Sequence, residues 1–295
     1  MSIEETTTAS KSARRARLSI LAAAVLWSLA GIFIKALALN PLAIVFYRSL
    51  FAALFFAPFV RRGTWKFSAP LLISALSYTA AVSAFVAANK LTSAANAIVL
   101  QYTAPIFVFV FARFLFREKI SGANLAALAA CTLGVVILYA GSGGDVRDGQ
   151  GVGVALFSGF FFAVYMTSLR FLKGIDARWL TFANNTACSV LLLPWLGGAL
   201  ALTAYDAALL VVMGVVQLGI PYFLFSKGVE KISLQEASLI VVVEPVLNPI
   251  WVAAVYGEVP GTATLAGGAL IVASLALRYA RRPLDRKGET SLRRR

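Results

Sequence analysis

Apolar residues run along this chain in long blocks, separated by short clusters of charge, glycine and proline. A helix crossing the hydrocarbon of a bilayer needs roughly 20 mostly apolar residues. Ten blocks reach about that length. The first five are Leu18–Leu39, Pro41–Val60, Ser68–Asn89, Ala94–Phe116 and Ser121–Gly141. The second five are Gly151–Leu172, Trp179–Leu202, Tyr205–Ser226, Gln235–Tyr256 and Pro260–Ala280. The pattern predicts an all-α, polytopic membrane protein with ten transmembrane helices and almost nothing left over for a soluble domain. One glycine-rich joint, residues 142–150, divides the chain nearly in half. Helical spans flank it and no strand precedes it, so it reads as a flexible joint rather than a nucleotide-binding loop.

Composition agrees. The chain is 60% hydrophobic and 14% charged, with a mean hydropathy of +0.81, against about 25% charged in ordinary soluble domains. The net charge of +14 raises the question of nucleic acid, but the basic residues lie between apolar blocks. With a cytoplasmic N-terminus, 23 of the 27 lysines and arginines fall in the two tails and in alternate loops on that side. That asymmetry puts both termini in the cytoplasm. Arg14–Arg15 before an apolar run also suits an export signal, but the run reaches span length and nine more follow, which reads as a retained first helix. The chain has no histidine. Cys131 and Cys188 sit inside apolar runs as small hydrophobes. Neither metal, cofactor nor enzymatic chemistry is expected.

The two halves resemble each other. Pro105 precedes Glu118 by thirteen positions, and Pro245 precedes Glu258 by the same thirteen. Five spans per half force the second half to enter the membrane inverted, an arrangement that places a substrate near midplane between the halves. The expected units are a tail (1–17), a five-helix repeat (18–141), the external linker (142–150), a second five-helix repeat (151–281) and a basic tail (282–295). Pro105 and Pro245 fall near the bilayer centre, where each frees the carbonyl four residues earlier, on Gln101 and Val241. Such groups are tolerated only against protein or a wet cavity. The prolines are therefore candidate gating kinks, with a packing kink as the plainer alternative.

Ionisable residues inside spans are costly and point to function. Arg48 and Glu244 lie deep, and Lys35 is near a span end, where it can snorkel. Glu244 suits proton coupling or a substrate amine, or a buried acceptor at the kink. Arg48 suits a substrate carboxylate, or pairing with backbone carbonyls or with Glu244. Further candidates for substrate contact are Trp27, Tyr47, Tyr78, Gln101 and Tyr102 in the first half. Tyr165, Asn185 and Gln217 join them from the second. Spans five and ten carry small residues instead, Gly134, Gly267, Gly268 and Ser274, suited to bracing the bundle or forming a dimer seam. A cavity of aromatic faces and amides suits small amphipathic solutes better than phosphates, which call for paired cations.

Ten spans, the inverted five-plus-five repeat, the paired Pro–x12–Glu spacing and Arg48 in the second span resemble the drug/metabolite transporter superfamily. Within it, residues 18–281 are most similar to EamA-type exporters, and among those to YddG-like amino acid exporters. The resemblance implies a secondary transporter in a bacterial inner membrane that exports amino acids, aromatic and other neutral ones, by alternating access. Export of other small amphipathic metabolites or drugs is the alternative, with a nucleotide-sugar exchanger or a channel ranked below it. The partners it implies are a small-molecule substrate and membrane lipid, with no nucleic acid, and the protein acting as a monomer.

Overall fold

The structure is a computed structural model that describes residues 3–60, 67–115, 117, 122–141, 146–172, 174–197, 201–229, 231–232 and 240–280. Regular structure among them is entirely helical. The first expected span comprises α1 (Ile3–Ser28) and α2 (Ala30–Ala36), separated at Leu29. α3 (Pro41–Phe56) and α4 (Ala69–Leu91) follow. The fourth span is again divided, into α5 (Ala94–Gln101) and α6 (Ala104–Leu115). The fifth, sixth and seventh are α7 (Gly122–Ala140), α8 (Val146–Ser168) and α9 (Ala177–Leu192). The eighth joins α10 (Ala204–Val212) to α11 (Ile220–Val229) through a π-helical segment, Met213–Gly219. α12 (Val243–Tyr256) and α13 (Thr262–Ala280) complete the bundle.

Among the described residues, six stretches, including Pro41–Phe59 and Ala204–Phe225, are long and apolar enough to cross a membrane by length and composition. The outward surface carries large apolar side chains such as Leu72, Leu125, Val190 and Trp195, a coat that suits lipid rather than water.

Local chemistry sets many of the boundaries. Asn40 accepts a bond from Leu42 N at 2.9 Å just ahead of Pro41, and Ser93 accepts one from Asn96 N at 3.0 Å. Both satisfy donors that a helix start leaves unpaired. Gly257, at φ +66°, ends α12 in the left-handed conformation that glycine adopts at no steric cost. α1 begins well upstream of Leu18. The Lys–Ala–Arg stretch before that residue is made of good helix formers, so nothing there stops propagation. The expected start of the ninth span at Gln235 lies outside the described residues.

Contacts between the halves reveal their relative direction. In the fifth and tenth spans Cys131 Sγ faces Ser274 Oγ at 3.0 Å, while Gly134 abuts Ile271 and Gly141 abuts Ala263. Ascending one helix descends the other, so the two are antiparallel. The second and seventh spans also pair, through Ser189 Oγ donating to the Phe46 carbonyl at 3.2 Å. The third packs antiparallel on the sixth, with Thr92 against Gly151 and the Tyr78 ring 5.5 Å from that of Tyr165. Its counterpart is the eighth on the first, with Gly228 against Ile20 and the Trp27 ring 5.2 Å from Tyr222. Equivalent helices meeting head to tail, and one cross-pair matched by another, are what an in-plane pseudo-two-fold produces.

Candidate functional site

Both expected kinks coincide with interruptions of helix. The fourth span breaks at Tyr102–Thr103 and the ninth at Val242, in each case up to three residues ahead of the proline. Proline lacks an N–H and its ring crowds the preceding turn, so the chain leaves helical geometry there. The side chain of Pro105 lies outside the described residues; Pro245 is buried. The two breaks are joined directly. Tyr102 Oη lies 3.1 Å from the freed Val241 carbonyl and 2.9 Å from Glu244 Oε2. The other freed carbonyl, on Gln101, abuts Gly159, where an added Cβ would lie 3.3 Å from it. The Gln101 amide donates to Ser158 Oγ at 2.8 Å, and that hydroxyl donates to the Ala81 carbonyl at 2.8 Å.

Two further irregularities were not foreseen. At Leu29 the first span opens, and the exposed carbonyls find donors from the second half. Gln217 Nε2 donates to Trp27 O at 3.3 Å and Asn248 Nδ2 to Ser28 O at 3.0 Å. Trp251 Nε1 donates to Ser28 Oγ at 3.0 Å. The π segment that carries Gln217 ends with Ile220 N bonding Val215 O, five residues back. Pro221 explains it, because it has no N–H to offer the Gln217 carbonyl. Single-turn π segments recur at functional sites. Sequence signals for these features were Pro221 itself and the Ser28/Gly31 pair flanking Leu29.

Between these breaks stands a group of tyrosines and amides. Tyr78 Oη donates to Asn185 Oδ1 at 3.1 Å, and Asn185 Nδ2 donates to Thr181 O at 2.9 Å. Tyr165 lies against both Tyr78 and Phe162. Tyr222 is within electrostatic reach of Tyr78, Tyr165, Arg48 and Glu244. Tyr47 belongs to the same packed core as Tyr78 and Tyr165, its ring 4.9 Å from that of Phe46. Trp27, Gln101, Tyr102, Gln217 and Glu244 are thus held at the helix breaks, while Tyr78, Tyr165 and Asn185 lie within continuous helices and contact one another. Glu244 engages Tyr102 and forms no ion pair with Arg48 among the described residues.

At the face opposite the start of α1, charges tie several spans together. Lys35 Nζ pairs with Glu258 Oε2 at 2.8 Å, and Glu258 Oε1 accepts from Ala94 N at 2.8 Å. Lys35 therefore does more than snorkel. Glu258, the end of the second Pro–x12–Glu unit, caps the helix that opens the broken span of the other half. Thr92 donates to Asp148, and Lys90 to the Leu37 carbonyl. Glu118, the equivalent of Glu258, lies outside the described residues. Exposed ion pairs contribute up to about 1 kcal/mol, which is about fivefold in a population. Glu258→Gln is expected to raise thiol labelling of a Val99→Cys reporter below this face by about that factor. Cys131 and Cys188 are buried and leave a low background. An unchanged labelling rate would show that the pair does not hold this face shut.

The sequence and fold compare as follows. The description of the EamA-like transporter family matches residues 14–140 and again residues 149–280. An uncharacterized transporter of Archaeoglobus fulgidus is 26% identical over 269 residues, covering 90% of this chain and 97% of its own. The uncharacterized transporter YdfC of Bacillus subtilis is 27% identical over 200 residues, 65% of this chain and 64% of its own. A solved crystal structure shares the fold with a TM-score of 0.65 at 20% identity, covering 90% of this chain and 98% of that one.

Proposed function

The chain belongs to the EamA-like transporter family, and from that premise we propose that it is a secondary transporter exporting neutral amino acids, aromatic ones among them, by alternating access. The proposed setting is a bacterial inner membrane with both tails in the cytoplasm, a reading supported by the lysine and arginine asymmetry. One observation carries the substrate reading. The irregular turns of the first, fourth, eighth and ninth spans converge with aromatic rings and amides, and some buried polar atoms there are left unpartnered. Gln217 Oε1 and Asn248 Oδ1 have no hydrogen-bond partner, although an unpaired buried polar atom is costly. Acceptors held open beside aromatic faces suit the ammonium group and side chain of an amino acid. The helix breaks supply hinges about which the halves rock around that centre.

Counterflow in proteoliposomes tests this. Labelled L-phenylalanine and L-leucine are expected to show saturable uptake that unlabelled neutral amino acids compete away. Absence of saturable flux for any neutral amino acid would reject the substrate assignment. Flux that never saturates would indicate a channel.

A further inference from the structure

We propose that Arg48 is the receptor for a carboxylate on the transported solute. The inference rests on the transporter reading above and assigns one part of its site.

Arg48 is 3% exposed in the middle of α3. Its Nε has no hydrogen-bond partner, and among the described residues it forms no ion pair. A guanidinium cannot shed its proton to escape burial, and a buried charge without a counter-charge is strongly disfavoured. Among the described residues, the titratable side chains that act on it electrostatically are Tyr78, Cys188 and Tyr222, none of them a carboxylate. Tyr78 directs its own hydroxyl proton at Asn185. Glu244 is engaged by Tyr102, and Glu258 by Lys35. Among the described residues, then, this deep cation has no anion paired with it.

The surroundings show that the position is constructed. Gly214, in the π-helical segment of the eighth span, lies so close that an added Cβ would be 2.7 Å from the Arg48 carbonyl. The irregular eighth span thus packs closely on the α3 backbone at Arg48. Tyr222, just beyond that segment, is within electrostatic reach of both Arg48 and Glu244. Tyr222 therefore sits near both a cation and a carboxyl group, the two ends of an amino acid's complement. The anion is a carboxylate rather than a phosphate. A single guanidinium matches a monoanion through two parallel bonds, whereas a dianion needs further cations, and among the described residues no lysine or second arginine acts on this group.

Calorimetric titration of the purified full-length protein in detergent with L-phenylalanine and with L-phenylalaninamide tests the assignment without interference from membrane permeation. Phenylalanine is expected to bind at least about tenfold more tightly than the amide, the scale of one lost charge-assisted pair. Arg48→Gln is expected to bring the two affinities together while leaving the amide's unchanged. Arg48→Lys, which keeps the charge but loses the fork, is expected to restore part of the preference. Equal affinities in the wild type, or a preference that survives Arg48→Gln, would overturn the assignment and leave the transporter reading standing. Should Arg48→Gln fail to yield monodisperse protein, Arg48→Lys decides, and a preference there as large as the wild type's would overturn the assignment. Binding of neither compound would overturn the amino acid reading, and the assignment with it.

Discussion

Glu244→Gln is expected to lower pH-driven accumulation of substrate at least tenfold while sparing exchange of substrate for substrate. The reason lies in a single hydroxyl proton. Tyr102 Oη is placed 2.9 Å from Glu244 Oε2 and 3.1 Å from the Val241 carbonyl, and it donates to only one of them at a time. When Glu244 is ionised, the charge-assisted bond to the carboxylate is the stronger and takes the proton. When Glu244 is protonated, its own O–H donates to Tyr102, freeing the tyrosine to donate to Val241. Protonation therefore moves a hydrogen bond onto the carbonyl that Pro245 left unpaired, at the very turn where the ninth span is broken. Buried carboxyl groups inside membranes are frequent proton relays, and a proton taken up by Glu244 would act directly on the helix break through Tyr102. Glutamine keeps the shape and can donate permanently, mimicking the protonated state, so exchange continues but no longer responds to the gradient. The measurement is accumulation in proteoliposomes with an imposed pH difference, set beside counterflow without one. A variant that accumulates substrate as the wild type does would remove Glu244 from coupling.

Some of this architecture was open to inspection in the sequence, and the rest was not, for a local reason. Pro105 and Pro245 announce their breaks because the cause, a missing N–H and a crowding ring, belongs to the residue itself. The span count and the inversion follow from block lengths and from an odd number of spans in each half. At Leu29 the only local mark is the weaker one of Ser28 and Gly31. Its break is held open by Gln217, Asn248 and Trp251, residues 190 to 223 positions away, and no local preference encodes partners at that distance. Lys35 and Glu258 pose the same difficulty, since each charge is visible alone but their pairing is a product of the fold. Arg48 was open to two readings for that reason. Only the packed bundle shows that Glu244 is committed to Tyr102 rather than to the guanidinium.

Gly134→Ala is expected to destabilise the protein by about 2 kcal/mol, in the range for overpacked interiors, whereas the same substitution at Gly153 is expected to stabilise it by up to about 1 kcal/mol. The pair isolates close approach from helix propensity. Alanine is the better helix former at both positions, so propensity alone predicts a gain at each. At Gly153 an added Cβ meets nothing within 4 Å, and the gain is realised. At Gly134 it would lie 2.7 Å from the Gly267 carbonyl and 2.6 Å from Ile271 Cγ1. A flexible side chain can turn away, but a backbone carbonyl moves only if the fifth and tenth helices separate. Gly267 reciprocates, its added Cβ falling 2.6 Å from the Gly134 carbonyl. In lipid, where hydrocarbon tails are as apolar as leucine, such backbone proximity is a main source of helix affinity. The seam also binds each half to its inverted counterpart, so loosening it frees the two halves to drift as well as to rock. Thermal unfolding of both variants in one detergent reads the difference directly. A Gly134→Ala protein as stable as the Gly153→Ala protein would mean that the fifth and tenth helices do not brace the bundle through their backbones.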